Sequence, residues 1–233
     1  MTTLLEVAGL NSYYADSHVL FDIDMHIAPN EVVALLGRNG AGKSTTLKSI
    51  AGAVRPRAGS IRLEGDEIAG LEPFRIANRG VQLVPEERRI FGSITVEENL
   101  ILAAISHPAP APLEEIYDYF PRLRERRKSG GRTLSGGEQQ MLAIARALIR
   151  KARLILLDEP FEGLAPVIVN QLMDICARLA QEGRTILIVE QNVFAVLSLA
   201  HRCYVLNNGH MVFQGLPDEL RGDRDLMRQH LGV

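Results

Sequence analysis

Glu31-Val32-Val33-Ala34-Leu35-Leu36-Gly37-Arg38-Asn39-Gly40-Ala41-Gly42-Lys43-Ser44 decides how the rest of the chain is read. An aliphatic strand at 31–36 runs into a glycine loop of pattern G-x-x-x-x-G-K-[ST], and 44–51 follows with helical spacing until Gly52 and Pro56 stop it. Strand, loop and helix in that order form a phosphate cradle. The glycines let backbone N–H groups approach an anion, Lys43 neutralises the outer phosphates, and the Ser44 hydroxyl is placed to ligate Mg²⁺. Gly37, Arg38, Asn39, Gly40, Ala41, Gly42, Lys43, Ser44 and Thr45 are therefore the predicted nucleotide-binding residues. A chance glycine loop needs neither the strand before it nor the helix after it.

Leu154-Ile155-Leu156-Leu157-Asp158-Glu159 supplies a second half. An aliphatic strand ending in a carboxylate puts Asp158 at the carboxyl edge of a sheet, where a magnesium ion sits in an α/β crevice. Glu159, one residue on, is placed to take a proton from an attacking water. Alone, an Asp-Glu pair after a strand reads as a solvated loop; beside the Lys43 loop it reads as chemistry. A third segment, Leu134-Ser135-Gly136-Gly137-Glu138-Gln139, is a turn opening a helix, with free backbone N–H groups and a hydroxyl for an anion. One nucleotide has no use for two cradles from one protomer, so this second one is predicted to serve a neighbouring copy or relative.

Around these segments, strands are predicted at 4–7, 20–27, 60–63, 80–84, 154–157 and 185–189, and helices at 113–127 and about 165–181. The pattern is read as helical from about 86 to 150, with Thr95 as an N-cap. Asn208-Gly209 marks a hairpin between 204–206 and 210–213, and polar helical turns close the chain at 218–231. Aliphatic strands alternating with helices indicate an α/β fold whose mainly parallel sheet is covered on both faces. The expected organisation is a single unit, 1–233, with a core of about 1–85 and 151–233 and a helical part of about 86–150.

The 233 residues are 46% hydrophobic and 23% charged, with a net charge of −2, which suits one compact unit and argues against nucleic acid as the main partner. No run of about 18 apolar residues is present, and Met1-Thr2-Thr3-Leu4-Leu5-Glu6 lacks a signal-peptide pattern. Cys176 and Cys203 sit in apolar segments without metal-ligand spacing and read as reduced core thiols.

The glycine loop, the 134–139 hexapeptide and Asp158-Glu159 occur in the order of ATP-binding cassette ATPases, and the chain resembles that P-loop family from about residue 4 to 233. The resemblance implies an N-terminal antiparallel β part, a helical subdomain carrying the hexapeptide, and ATP and Mg²⁺ as ligands. It further implies a head-to-tail dimer in which Ser135, Gly136, Gly137 and Glu138 face the partner's γ-phosphate. The family stacks an aromatic ring on adenine, and Tyr14 of Tyr13-Tyr14 is matched to it; the competing reading is a core tyrosine. Where the family has a magnesium-contacting glutamine, Val84-Pro85-Glu86-Glu87-Arg88-Arg89 places Glu86, which either ligates the ion or pairs with Arg88 or Arg89 in solvent. Where it has a switch histidine, the chain has Gln191, which can donate a hydrogen bond to a γ-phosphate but carries no charge. Ala165, in Gly163-Leu164-Ala165-Pro166, replaces a common aspartate.

These departures together resemble the shorter ATPase subunit of bacterial branched-chain amino acid importers, with urea and short-amide importers close by. That resemblance implies a second ATPase subunit (a copy or a paralogue), membrane permease subunits, a periplasmic binding protein, and a peripheral place on the cytoplasmic face of the inner membrane. Phe91 and Ile94 are the expected contacts to the permease. A soluble cassette ATPase of DNA repair or translation is disfavoured by the absence of coiled-coil insertions or a second cassette. The basic 122–128 stretch reads as a solvated helix face. A purely regulatory ATP-binding module is opposed by Lys43, Asp158 and Glu159.

Overall fold

A computed structural model describes residues 3–105 and 107–232, so the reading of the extreme N-terminus and the outer limits of the 1–233 unit fall outside the described residues. In chain order the elements are β1 (Leu5–Tyr14), β2 (Ser17–Ile27), β3 (Val32–Leu36), α1 (Lys43–Ile50), β4 (Pro56–Leu63), β5 (Asp66–Glu67), α2 (Pro73–Asn78) and β6 (Val81–Val84). Then come α3 (Val96–Ile105), α4 (Leu113–Tyr119), α5 (Pro121–Glu125), α6 (Gly136–Leu148), β7 (Leu154–Asp158) and α7 (Pro166–Gln181). The chain closes with β8 (Thr185–Glu190), α8 (Val193–Leu197), β9 (Arg202–Asn207), β10 (His210–Gly215), α9 (Pro217–Gly222) and α10 (Arg224–Leu226), followed by a π turn at Met227–Leu231.

Two sheets form. Six strands in the order β10-β9-β3-β8-β7-β6 make the central sheet, parallel throughout except for the β9–β10 hairpin at its edge. That hairpin turns at Asn208 (φ 47) and Gly209 (φ 77), the two left-handed positions a tight I′ turn requires. A second, antiparallel sheet runs β2-β1-β4-β5. Successive side chains of a strand point to opposite faces, and the central strands are apolar on both. Val33 and Leu35 of β3, Leu154 and Leu156 of β7, and Leu187 and Val189 of β8 pack with the antiparallel sheet and α1. Val32, Ala34 and Leu36, Ile155 and Leu157, and Ile186 and Ile188 pack under α3 to α7. The sheet is thus covered on both faces, by helices α3 to α7 on one and mainly by the second sheet, together with α1 and α2, on the other.

Three local readings are corrected. The single helix expected at 113–127 is two, broken at Phe120 (φ −127, ψ 69), because Pro121 pushes its predecessor out of the helical region. The segment from 86 to 95 is not helical: it follows Pro85, and Arg88 (φ 61) and Arg89 (φ 44) are both left-handed. Helix begins at α3, where Thr95 and Glu98 exchange backbone N–H bonds with each other's side chains at 3.2 and 2.7 Å. Strand β1 runs on to Tyr14 rather than ending near 7, its irregularities around Gly9 absorbed by register shifts against β2.

Candidate functional site

Parallel pairing brings four loops to one edge. β3 pairs with β8 so that Leu36 meets Glu190, β7 pairs with β8 so that Asp158 meets Val189, and β6 pairs with β7. The glycine loop therefore follows β3, Gln191 follows β8, Glu159 follows β7 and Glu86 follows β6, all at the carboxyl ends of adjacent strands. Such an edge is where open α/β sheets bind ligands.

The glycine loop ends at Gly42, left-handed at φ 108, where a Cβ would come within 2.7 Å of Leu20 Cδ2. Gly42 is the N-cap of α1; no side chain caps this helix and its first turn holds no acidic residue. The unpaired N–H groups and the positive end of the helix dipole are thus left for an anion. Lys43 is only 4% exposed; its Nζ donates to the carbonyls of Gly37 at 2.9 Å and Arg38 at 3.3 Å and lies 3.3 Å from Glu159 Oε1. A buried ammonium needs such partners, and here they aim it at the loop's concave side.

Ser44 donates its hydroxyl to Asp158 Oδ1 at 2.8 Å. Burial pushes the Asp158 carboxyl above its usual range, and nearby Glu159 and Glu86 add to this, while the Ser44 bond and Lys48 oppose it. Glu159 sits at φ 47 and donates its N–H to Val189 O at 3.0 Å. That left-handed backbone is strained for a non-glycine residue and is held by the surrounding bonds. Gln191 Nε2 donates to Glu159 Oε2 at 2.7 Å. Glu162 also reaches Glu159: that hydrogen bond first, then burial, raises the Glu162 pKa.

A hollow of about 450 Å³ is lined by Val19, by 39–45 of the loop, and by Glu86, Glu159, Glu162 and Gln191. Arg89 pairs with Glu87 at 3.6 Å and Arg88 bonds Gln140 at 3.2 Å, while Glu86 lines the hollow. The donors Ser44, Asp158 and Glu86 are all hard oxygens, which suits Mg²⁺. Among the described residues no three His, Cys, Asp or Glu side chains gather into a metal cage. A magnesium ion here therefore needs substrate oxygens to complete its shell, as Mg²⁺ bound with phosphates does.

The 134–139 segment is elsewhere. Ser135 caps α6: Glu138 N–H reaches Ser135 Oγ at 3.3 Å, and Ser135 N–H reaches Glu138 Oε2 at 2.8 Å. Burial works to raise the Glu138 pKa, but the Ser135 bonds and Arg122, 3.0 Å away, outweigh it and hold the carboxylate low. Ser135 and Gly136 are exposed and do not line the hollow. Gly137 is explained by packing, since a Cβ there would lie 2.7 Å from Ile168 of α7. Of the two tyrosines, Tyr13 has both ring faces occupied, by His18 at 4.0 Å and the Arg57 guanidinium at 4.3 Å. Tyr14 is 46% exposed and lines a larger groove beside Lys48 and Val54 rather than the phosphate hollow.

Glu162 and Glu190 were not singled out from sequence. The signal for Glu190 was present: an acidic residue ends an otherwise aliphatic strand, and it is 3% exposed.

The profile of a family described as "ABC transporter" matches residues 20–162. The chain is 43% identical to the high-affinity branched-chain amino acid transport ATP-binding protein BraG of Pseudomonas aeruginosa, over 90% of this chain and 91% of that one. It is 40% identical to the probable branched-chain amino acid transport ATP-binding protein LivF of Archaeoglobus fulgidus, with 99% of both chains covered. The lipopolysaccharide export system ATP-binding protein LptB of Haemophilus influenzae is 34% identical, over 99% of this chain and 98% of that one. A solved structure described as the ATP binding subunit of an ABC transporter superposes with a TM-score of 0.84 at 31% identity, covering 98% of this chain and 96% of the other.

The buried Asp158 has a stability consequence. Its pKa is raised above the 3.8 of the unfolded chain, so between the two values the folded state binds more protons and stability falls as pH rises. Measured without nucleotide, Asp158→Asn removes that penalty. The melting temperature of the variant minus that of the wild type is expected to be larger at neutral pH than in the acid range. A difference that shrinks as pH rises would contradict the assignment.

Proposed function

The chain belongs to the ABC transporter family and is an ATP-hydrolysing subunit, and from that premise we propose that it powers import of branched-chain amino acids. The observation that carries the catalytic reading is the convergence of the four loops on adjacent strand ends. Gly37 to Thr45 cradle the phosphates on backbone N–H groups and the α1 dipole, and Lys43 trades its carbonyl contacts for phosphate oxygens. Ser44, Asp158 and Glu86 are the residues that would hold Mg²⁺, which when bound would supply charge neutralisation for the outer phosphates.

Glu159 takes the proton of the attacking water. Its two oxygens are already committed, one toward Lys43 and one to the Gln191 amide, so its orientation is fixed before substrate arrives. Gln191 offers its amide to the γ-phosphate. Tyr14 is the residue for adenine on the family resemblance alone, its ring being free of the stack that covers Tyr13 but lying on the larger groove, not the phosphate hollow. Ser135, Gly136, Gly137 and Glu138 lie away from this chain's own hollow and serve the nucleotide of a second ATPase subunit, a copy or a paralogue. The cap between Ser135 and Glu138 occupies the N–H groups of those two residues, so the N–H groups of Gly136 and Gly137 at the start of α6 are the ones that form the other half of a shared pocket. The functional division of the chain is a core that binds ATP and a helical part, about 86–150, that carries the α6 cap.

Among the described residues no helix is long and apolar enough to cross a membrane; the resemblance to BraG and LivF is what supports separate permease subunits and a peripheral place for this chain on the cytoplasmic side. The groove for them is the large one, about 960 Å³, lined by exposed Phe74, Phe91 and Leu102 and by Lys48, Arg88, Arg89 and Arg146 among its cations, with no acidic residue. A permease segment with an apolar face and a carboxylate fits it. Ile94 is partly buried and is not part of this lining, so Phe91 is the better contact of the pair.

The importer reading rests on the resemblance to BraG and LivF. Export is the second reading, favoured by the near-complete coverage of LptB at lower identity. In the assembled transporter, leucine with its binding protein is expected to stimulate ATP turnover; stimulation by lipopolysaccharide alone would favour export. Glu159→Gln is expected to keep ATP binding and lose turnover by roughly 10²-fold or more, read by nucleotide titration and phosphate release; near-normal hydrolysis would remove Glu159 from its role. Phe91→Asp is expected to weaken co-purification with the membrane subunits while ATP affinity stays unchanged, and intact association would displace the docking groove.

A further inference from the structure

Glu190 ends β8 with a carboxylate that is 3% exposed. Its Oε1 accepts the Phe161 N–H at 2.9 Å, and its Oε2 accepts the N–H groups of Gln191 at 3.0 Å and Asn192 at 3.3 Å. Burial pushes its pKa up against these three bonds, and nearby Glu159 adds to the rise. A strand of this composition could end more cheaply in an apolar side chain, because a buried carboxylate without a cation is held only by the donors around it.

The two oxygens divide between two loops. One holds the turn after β7, which carries Glu159 at φ 47 and leads through Phe161 to Gly163 and Leu164. The other holds the turn after β8, which carries Gln191 and then Asn192, the cap of α8. Phe161 is buried in the core, so the first turn is anchored at its far end too. Gln191 is exposed, and its side chain meets Glu159 at 2.7 Å from a backbone fixed by Glu190.

We propose that Glu190 is a positioning residue: its carboxylate splints the Gln191 turn to the Glu159 turn, sets the Gln191 amide against Glu159, and passes any displacement of the 159–165 turn on to Gln191. This rests on the reading of Glu159 as base and Gln191 as a phosphate contact. The geometry makes the coupling specific. A shift of Phe161 moves Oε1, and the rigid carboxylate moves Oε2 with it. Glutamine at 190 keeps the shape but turns one acceptor into an NH₂ group facing N–H donors, so one of the two turns is released.

The test uses the full chain in the assembled transporter. Glu190→Gln is expected to lower kcat roughly ten- to a hundred-fold, with KM for ATP within about two-fold of wild type. In a Gln191→Ala background the same substitution is expected to cost almost nothing more, because the group it positions is gone. Gln191→Ala at wild-type turnover would overturn the reading beneath. With Gln191→Ala impaired, the positioning role falls if Glu190→Gln keeps wild-type kcat, or if its loss persists undiminished in the double variant; the roles of Glu159 and Gln191 then stand. Should Glu190→Gln fail to fold, amide hydrogen exchange in the wild-type chain decides. On adding a non-hydrolysable ATP analogue, protection at Phe161, Gln191 and Asn192 is expected to change together; unequal or absent changes overturn the proposal.

Discussion

A buried ammonium on the glycine loop, facing buried and half-buried carboxylates on the neighbouring strands, is the constraint from which the remaining architecture follows. Lys43 is almost wholly enclosed, and Gly37 O, Arg38 O and Glu159 are held around its ammonium group. Glu159 reaches it from a left-handed backbone locked by the Val189 carbonyl, and Val189 is held in register by β7 and β3. Slide any of these strands by one residue and every side chain changes face, separating the charges. The two apolar faces of the central sheet therefore do more than supply burial: they fix the register that places the groups.

The same edge explains why the site is poised rather than merely charged. Asp158 is kept near a hydroxyl, Glu159 shares contacts with Gln191 and Glu162, and Glu190 ties the two turns together. Each carboxylate has a different set of neighbours, so each responds differently to an incoming anion or cation. On the opposite cover of the sheet, the α3–α6 helices carry the capped start of α6 and one wall of the cationic groove. The left-handed pair Arg88 and Arg89 joins that groove to the hollow's Glu86, since Arg88 bonds Gln140 of α6 and the Arg89 carbonyl accepts from Arg146. The hollow and the groove thus share one short segment of left-handed backbone.

Much of this was legible in the chain. The strand, glycine loop and helix, and the aliphatic strand ending in Asp158, are local patterns with a fixed spatial meaning, and the hairpin at Asn208-Gly209 is dictated by the conformations those two residues tolerate. The break at Phe120 was readable from Pro121 but lost against the apolar periodicity of Ile116, Phe120 and Leu123, all of which are buried as that periodicity implies. The nature of the second cover of the sheet was less readable, because an apolar face does not say whether a helix or a strand will meet it. Glu86 had two readings in the sequence, because whether Arg88 or Arg89 meets it depends on spatial partners that no local pattern gives: Arg88 bonds Gln140 and Arg89 pairs with Glu87. Glu162 and Glu190 were missed because their roles depend on turns brought together by sheet register, over separations that no local pattern records.

The central claim, a nucleotide pocket completed by a second subunit, is tested most directly by the mass of the Glu159→Gln chain in analytical ultracentrifugation, alone and mixed with its paired ATPase subunit. With Mg²⁺ and ATP a two-subunit species is expected, reverting to single subunits when ADP replaces ATP. Single subunits under every condition would contradict a shared pocket.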